Sequence, residues 1–249
     1  MTRHYAAFAV GILAVLWATA AKAQSHGLYW RVDTGYAWAA DANLRDNNPG
    51  NAATGSYICG APLFGGSCND PPGELNNIGE AWIAGLGVGY RFTRMIRADV
   101  TASYRSGFKL DDTDQAPSSY SAHITSYNVM LNGYVDFPIE RWKWFVPYVG
   151  AGLGYANNKI DDISNPNLAP LPPGNSTVPG GTWNGAAWQL SAGVSFGLTR
   201  RLILDVGYRY LDSGKIETKP GNVTGFFAMP YDGATGKLRS HELQVGLRF

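Results

Sequence analysis

The chain has 249 residues, with Gly 31, 13% aromatic residues, only 16% charged residues and a formal net charge of +1. So balanced a charge supplies no electrostatic footprint for nucleic acid. Abundant glycine and aromatics with moderate hydrophobicity suit an all-β chain with many turns.

Arg3 gives the N-terminus a positive start, residues 5–20 form an uncharged apolar run, and Ala21-Lys22-Ala23 closes it with a small-x-small pattern. This is the three-part layout of a secretory signal peptide. The run is short for a spanning helix, which needs ~20 apolar residues. Residues 1–23 are therefore read as a cleaved signal and 24–249 as one domain. Cleavage removes Arg3 and Lys22, so 20 basic residues fall to 18 against 19 acidic ones. Beyond the leader, charges and glycines interrupt every apolar segment.

Eight segments then follow with a period of two, the periodicity of strands. In the first, Leu28, Trp30, Val32, Thr34, Tyr36 and Trp38 alternate with Tyr29, Arg31, Asp33, Gly35 and Ala37. In the second, Trp82, Leu86, Val88, Tyr90 and Phe92 alternate with Gly85, Gly87, Gly89 and Arg91. The third runs over 96–105 and the fourth over 127–136. The fifth covers 145–155, the sixth 188–197, the seventh 202–210 and the eighth 242–249. Each is roughly 10 residues, the length of a tilted membrane strand.

Connectors alternate in length as well. Those at 93–94, 137–143 and 198–200 are short, whereas the four beginning after Ala40, Arg105, Tyr155 and Leu211 are long. With Gln24 on the periplasmic side, Trp38, Trp82, Tyr104, Tyr127, Tyr155, Trp188 and Tyr210 fall near the outer rim. Trp30, Phe92, Trp144, Phe196 and Phe249 fall near the inner one. Two aromatic girdles are a membrane signature that a soluble sandwich has no reason to show. The expected fold is an eight-stranded antiparallel up-and-down transmembrane β-barrel with four long extracellular loops. Ten strands stay open, should Tyr57 and Ile58 or parts of 218–229 add a pair.

The face pointing to the barrel axis carries Arg31, Arg91, Arg97, Arg105, Arg209 and Arg248 with Asp33, Asp99, Asp136, Asp205 and Glu242. Every lysine of the mature chain is placed in a loop or turn. An eight-stranded barrel is only wide enough for side chains to fill, and unpaired charges there would be costly. An ion-pair network plugging the lumen is therefore expected. The competing reading is a narrow porin for small solutes or ions, with inward glycines such as Gly85, Gly87, Gly150 and Gly152 opening space.

The stretch 147–155, Pro-Tyr-Val-Gly-Ala-Gly-Leu-Gly-Tyr, resembles the fifth strand of opacity-type and OmpA-like outer-membrane barrels. Asp205-Val206-Gly207-Tyr208-Arg209-Tyr210 is similar to their seventh strand, and the end at Phe249 resembles an outer-membrane assembly signal. The whole resembles the alphaproteobacterial porin-family surface proteins. That resemblance implies periplasmic chaperones, insertion by the β-barrel assembly machinery with Phe249 as its key residue, and a bacterial outer-membrane location. No peptidoglycan-binding domain follows, so cell-wall anchoring is not expected.

The loops hold Cys59 and Cys68, the sole cysteines, in one polar stretch of the 41–79 connector. In an oxidising compartment they are expected to form a disulfide tying that loop; two free thiols are the alternative. The proline-rich 166–181 should resist regular structure. Asp111, Asp112 and Asp114 make a weak candidate for a divalent cation, which wants six or more oxygens; no metal or cofactor is expected. Lysines 109, 159, 215, 219 and 237 could meet lipopolysaccharide phosphates, and loop tips could contact a host or ligand. Catalysis would need converging groups. His123 and Thr125 share a strand face, but no evident acid stands beside them, so no enzyme is expected; a lipid-modifying enzyme is the remote reading. The leading reading is an integral outer-membrane barrel with a structural or surface-interaction role.

Overall fold

Inward and outward side chains alternate over long spans, and the backbone answers with eight long strands. They are β1 (Gly27–Ala39), β2 (Glu80–Arg91), β3 (Ile96–Asp112), β4 (Tyr120–Asp136), β5 (Phe145–Ile160), β6 (Gly181–Gly197), β7 (Ile203–Glu217) and β8 (Ala234–Arg248). The computed structural model describes residues 27–40, 44–48, 78–112, 120–142, 144–165, 176–199, 201–223 and 229–249. Every regular element among them is a strand.

Each strand pairs antiparallel with the next, and β8 returns to β1 with Arg31 opposite Arg248 and Trp38 opposite His241. Trp30 and Phe249 exchange backbone hydrogen bonds of 2.8 and 3.0 Å at the seam. The ring is therefore closed at eight strands. Closure leaves no unpaired sheet edge, the condition a β-structure must meet in lipid. Three short pairings sit outside this ring. Ile163–Asn165 pairs with Ser176–Val178, Gly221–Val223 pairs with Met229–Tyr231, and Arg45–Asp46 pairs with the start of β8. They extend the outer end and add no wall strand, so the ten-stranded alternative falls away.

The strands are longer than the alternation suggested. β3 continues to Asp112, β5 to Ile160 and β7 to Glu217, while β4 begins at Tyr120, β6 at Gly181 and β8 at Ala234. Stretches expected as loop after Arg105, Tyr155 and Leu211 are thus wall. Lys109, Lys159, Lys215 and Lys237 lie in strands rather than loops. The Ser176–Val178 pairing likewise corrects the expectation that 166–181 carries no regular structure.

Two β-bulges explain why the pattern broke. The register shifts between Ser106 and Phe108 and again between Asp212 and Lys215. The extra residues include Gly107 at φ +120 and Gly214 at φ +82, a backbone region that glycine enters without cost. One inserted residue swaps the faces of everything after it. Arg105 and Phe108 therefore both point inward, as do Ser213 and Ile216.

The outward face between the girdles is apolar and open to lipid, with Leu131 63% and Leu153 73% exposed. Tyr104 packs on Tyr127 and Trp188 on Tyr210 along its outer edge, and Trp144 on Phe196 along its inner edge. At ~3.3 Å per residue and a tilt near 40°, β3, β4, β6, β7 and β8 project roughly 15–20 Å beyond the outer girdle, whereas β1 and β2 end close to it.

Candidate functional site

Inside the wall the side chains fall into three layers. The layer nearest the short turns holds four arginines and four aspartates. Arg31 donates Nε and Nη2 to the two carboxylate oxygens of Asp33 at 2.9 and 2.7 Å, and Nη1 to Asp99 at 2.8 Å. Arg97 Nε donates to Asp136 at 3.0 Å and Arg91 Nη2 reaches the same carboxylate at 3.4 Å. Arg248 Nη2 donates to Asp205 at 3.1 Å, and Ser195 Oγ donates to that carboxylate at 2.6 Å. Arginine's planar fork meets both oxygens of a carboxylate with two parallel N–H groups, where lysine offers only a point charge.

Three tyrosines complete that layer, and the reading of charges along the sequence passed over them. The Arg97 guanidinium lies 4.0 Å from the ring centre of Tyr134 and 4.9 Å from that of Tyr148. Tyr29 donates to Asp99 at 3.1 Å and lies under Arg248. The signal was present, since Tyr29 and Tyr134 share parity with the inward charges of their strands and Tyr148 with the inward glycines of its own.

A second layer follows toward the outer end. Arg105 forks onto Glu242 at 2.6 and 3.2 Å, and Arg209 Nε donates to the same carboxylate at 2.5 Å. Ser240 Oγ adds a bond of 3.0 Å. Neutral amides join the layers: Asn132 donates to Asp99 at 2.8 Å and accepts from Gln189 at 2.6 Å. Asn158 accepts from Ser126 at 2.7 Å. Burial of ions costs several kcal/mol each, and each arginine and carboxylate of these two layers accordingly has at least one oppositely charged partner.

Several inward glycines stand where a neighbouring ring comes close. A Cβ on Gly89 would stand 2.3 Å from the Tyr29 ring, one on Gly150 2.4 Å from Tyr134, and one on Gly207 2.5 Å from the Tyr148 hydroxyl. These positions lack a side chain because a large neighbour already fills the space. At these three positions glycine makes room for a tyrosine rather than for a passage.

The third layer is apolar. Ala37, Ile83, Phe108, Ile124, Ile160, Ile216 and Leu238 turn inward, and Leu44, Ile78, Ile163, Val178 and Tyr231 close over them from the outer segments. Every wall strand except β6 contributes to this cluster, so it spans the lumen from side to side. Trp183 of β6 packs against an adjoining cluster of Met130, Ala156, Ala187 and Leu211. Each large apolar side chain buried in this way contributes about 1.5–3 kcal/mol. The layer's position follows from the bulges, which deliver Phe108 and Ile216 to the axis.

Outside the projecting wall the surface is polar and partly basic. Lys109, Lys159, Lys215, Lys219 and Lys237 are exposed there. Lys215 stands directly opposite Lys237. Lys159 pairs with Asp161 at 2.8 Å, and that hydrogen bond with its carboxylate charge raises the lysine above its ordinary pKa. His123 and Thr125 point outward on β4, opposite Lys109 and Ser106. Among the described residues no side chain hydrogen-bonds the His123 ring. Among the described residues no set of three or more His, Cys, Asp or Glu is grouped as metal ligands would be. Cys59, Cys68, Tyr57, Ile58, Thr113 and Asp114 lie outside the described residues, as do the side chains of Asp111 and Asp112.

A closed eight-stranded wall, a lipid-facing apolar belt edged by aromatics and a polar interior define an integral β-barrel of the bacterial outer membrane. The chain belongs to the outer membrane protein beta-barrel domain family, whose model matches residues 7–249. An uncharacterized protein of Brucella abortus is 34% identical over 159 residues, 57% of this chain and 53% of that protein. The chain thus spans about half the length of that relative. A Rickettsia prowazekii protein named as a candidate adhesin is 31% identical over 182 residues, 66% of this chain and 72% of its own length. The crystal structure of Neisserial surface protein A is similar at TM-score 0.46 and 18% identity, over 89% of this chain and 96% of that one. The protein's place is the outer membrane.

Proposed function

We propose that the barrel is a surface-contact protein, closed to through-flow and without catalytic activity, whose projecting strands and loops meet an extracellular partner. The observation that carries this reading is the apolar layer across the outer end of the lumen. It blocks passage and at the same time stiffens the platform on which the loops stand. The kinship with a candidate adhesin supports the same reading. The test is expression in a non-adherent Gram-negative strain, scored for binding to animal cells. Adhesion should rise over the empty vector and fall when residues 49–77, which leave Leu44 and the Arg45–Asp46 pairing in place, are replaced by a short glycine-serine turn. Unchanged adhesion with increased solute uptake would instead favour the narrow porin.

Lipopolysaccharide is the natural neighbour of the outer basic face. Like charges directly opposite on a sheet are unfavourable, and a phosphate between Lys215 and Lys237 would relieve that. Insertion by the β-barrel assembly machinery, with Phe249 as its signal, belongs to the same proposal. So do removal of residues 1–23 and pairing of Cys59 with Cys68. The intact mass of the protein from outer membranes checks the last two. It should begin at Gln24 and be two hydrogens lighter than the reduced chain.

A further inference from the structure

The lumen is sealed above, but its periplasmic end is not. A cavity of about 220 Å³ opens there, lined by Arg91, Arg94, Asp136, Ser195 and Arg248 among others. At ~30 Å³ per water, that is room for a small polyatomic ion and a few waters.

The charges around it do not balance. Three guanidinium groups face one carboxylate, and that carboxylate, Asp136, already accepts from Arg97 and Arg91. Arg248 is the informative residue. It is 2% exposed and uses Nη2 on Ser195 and Asp205, both at 3.1 Å. Its Nε and Nη1 are buried with no hydrogen-bond acceptor among the described residues. A buried charged donor without an acceptor is costly, and such groups are normally satisfied.

The approach favours an anion as well. The short turns beside the opening carry exposed Arg94, Arg141 and Arg201 against Glu140 alone. A cleft rimmed by one sign of charge draws the opposite ion from solution. Guanidinium forks match tetrahedral oxyanions, because two parallel N–H groups meet two oxygens.

We infer that this vestibule binds a phosphate-class oxyanion entering from the periplasmic side, held by Arg248 with Arg91 and Arg94. The ligand's chemistry is shared by free phosphate and by the headgroup of an inner-leaflet phospholipid.

The test uses the full barrel refolded in dodecyl maltoside, a phosphate-free detergent, titrated with inorganic phosphate. The side-chain Nε–Hε resonance of Arg248 reports the site. It should shift saturably. Arg94→Gln, an exposed change that leaves the interior pairs intact, should weaken binding roughly tenfold, the effect of losing one charge-assisted hydrogen bond. Arg248→Gln should abolish the phosphate-dependent shifts around the vestibule, and Arg239→Gln at the opposite end should change nothing. Repeating the titration in phosphatidylglycerol nanodiscs separates the sources. A resonance already at its bound position assigns the lipid headgroup, and one that still titrates assigns the free ion. An Arg248 resonance that moves in neither medium would overturn the site, as would phosphate shifts unaffected by Arg94→Gln.

Discussion

Arg105 and Glu242 stand 137 residues apart in the chain, yet they meet in the middle of the barrel at 2.6 Å with side-chain exposures of 1% and 0%. Glu242 also holds Arg209, so one carboxylate is the shared partner of both guanidinium groups in the second layer. Glu242→Ala would leave two buried cations unpaired. The expected loss is about 3–5 kcal/mol, the cost of breaking a buried pair from one side. Arg105→Met should cost less, because Arg209 still answers Glu242. Urea unfolding in micelles, followed by tryptophan fluorescence, measures both.

The glycines give a sharper test of packing. A Cβ on Gly152 would stand 2.1 Å from Asn132 Oδ1, and Asn132 is itself held by Asp99, Thr101 and Gln189. Gly152→Ala should therefore destabilise by about 1–3 kcal/mol, the usual cost of overpacking. Gly133→Ala, one strand away, meets nothing within 4 Å and should fall within about 0.5 kcal/mol of the parent. The pair of unfolding midpoints checks this contrast.

Much of the barrel was legible because two simple rules acted together. Alternation identified the membrane halves of all eight strands, and the same parity placed each inward arginine and carboxylate. The projecting halves were hidden for a physical reason. At Gly107 and Gly214 one extra residue moves the inward set from odd to even positions, and a strict period of two reads that as an end of strand. On β4 and β6 no bulge intervenes; there the outward face simply turns polar beyond the girdle, as at His123, Thr125, Thr182 and Asn184, and the lipid signal disappears while the strand continues. The apolar layer was illegible because Leu44, Ile78, Ile163 and Tyr231 come from stretches without periodicity, and only the closed wall brings them together.

Phe108 tests the apolar layer itself. It is fully buried, and its inward direction depends on the bulge at Gly107. Phe108→Ala should cost about 3–5 kcal/mol, as for other large-to-small core changes. The same variant should speed hydrogen exchange at the amides of Ile124 and Ile160, which share the cluster. Exchange confined to the substituted strand would argue against one packed layer.

The lipid belt predicts a depth-dependent response to charge. Leu131 faces the bilayer near its middle, so Leu131→Arg should destabilise by about 2–4 kcal/mol in lipid vesicles. Thr125→Arg, on the same strand but beyond the outer girdle, should cost roughly 0–1 kcal/mol. Equal effects at the two positions would misplace the membrane boundary.

Single-channel recording of the purified protein in planar bilayers bears most directly on a lumen filled by paired charges and closed by an apolar layer. The recording should stay at baseline, without steps, over a wide voltage range. Reproducible nanosiemens steps that persist with the outer loops in place would contradict a sealed lumen.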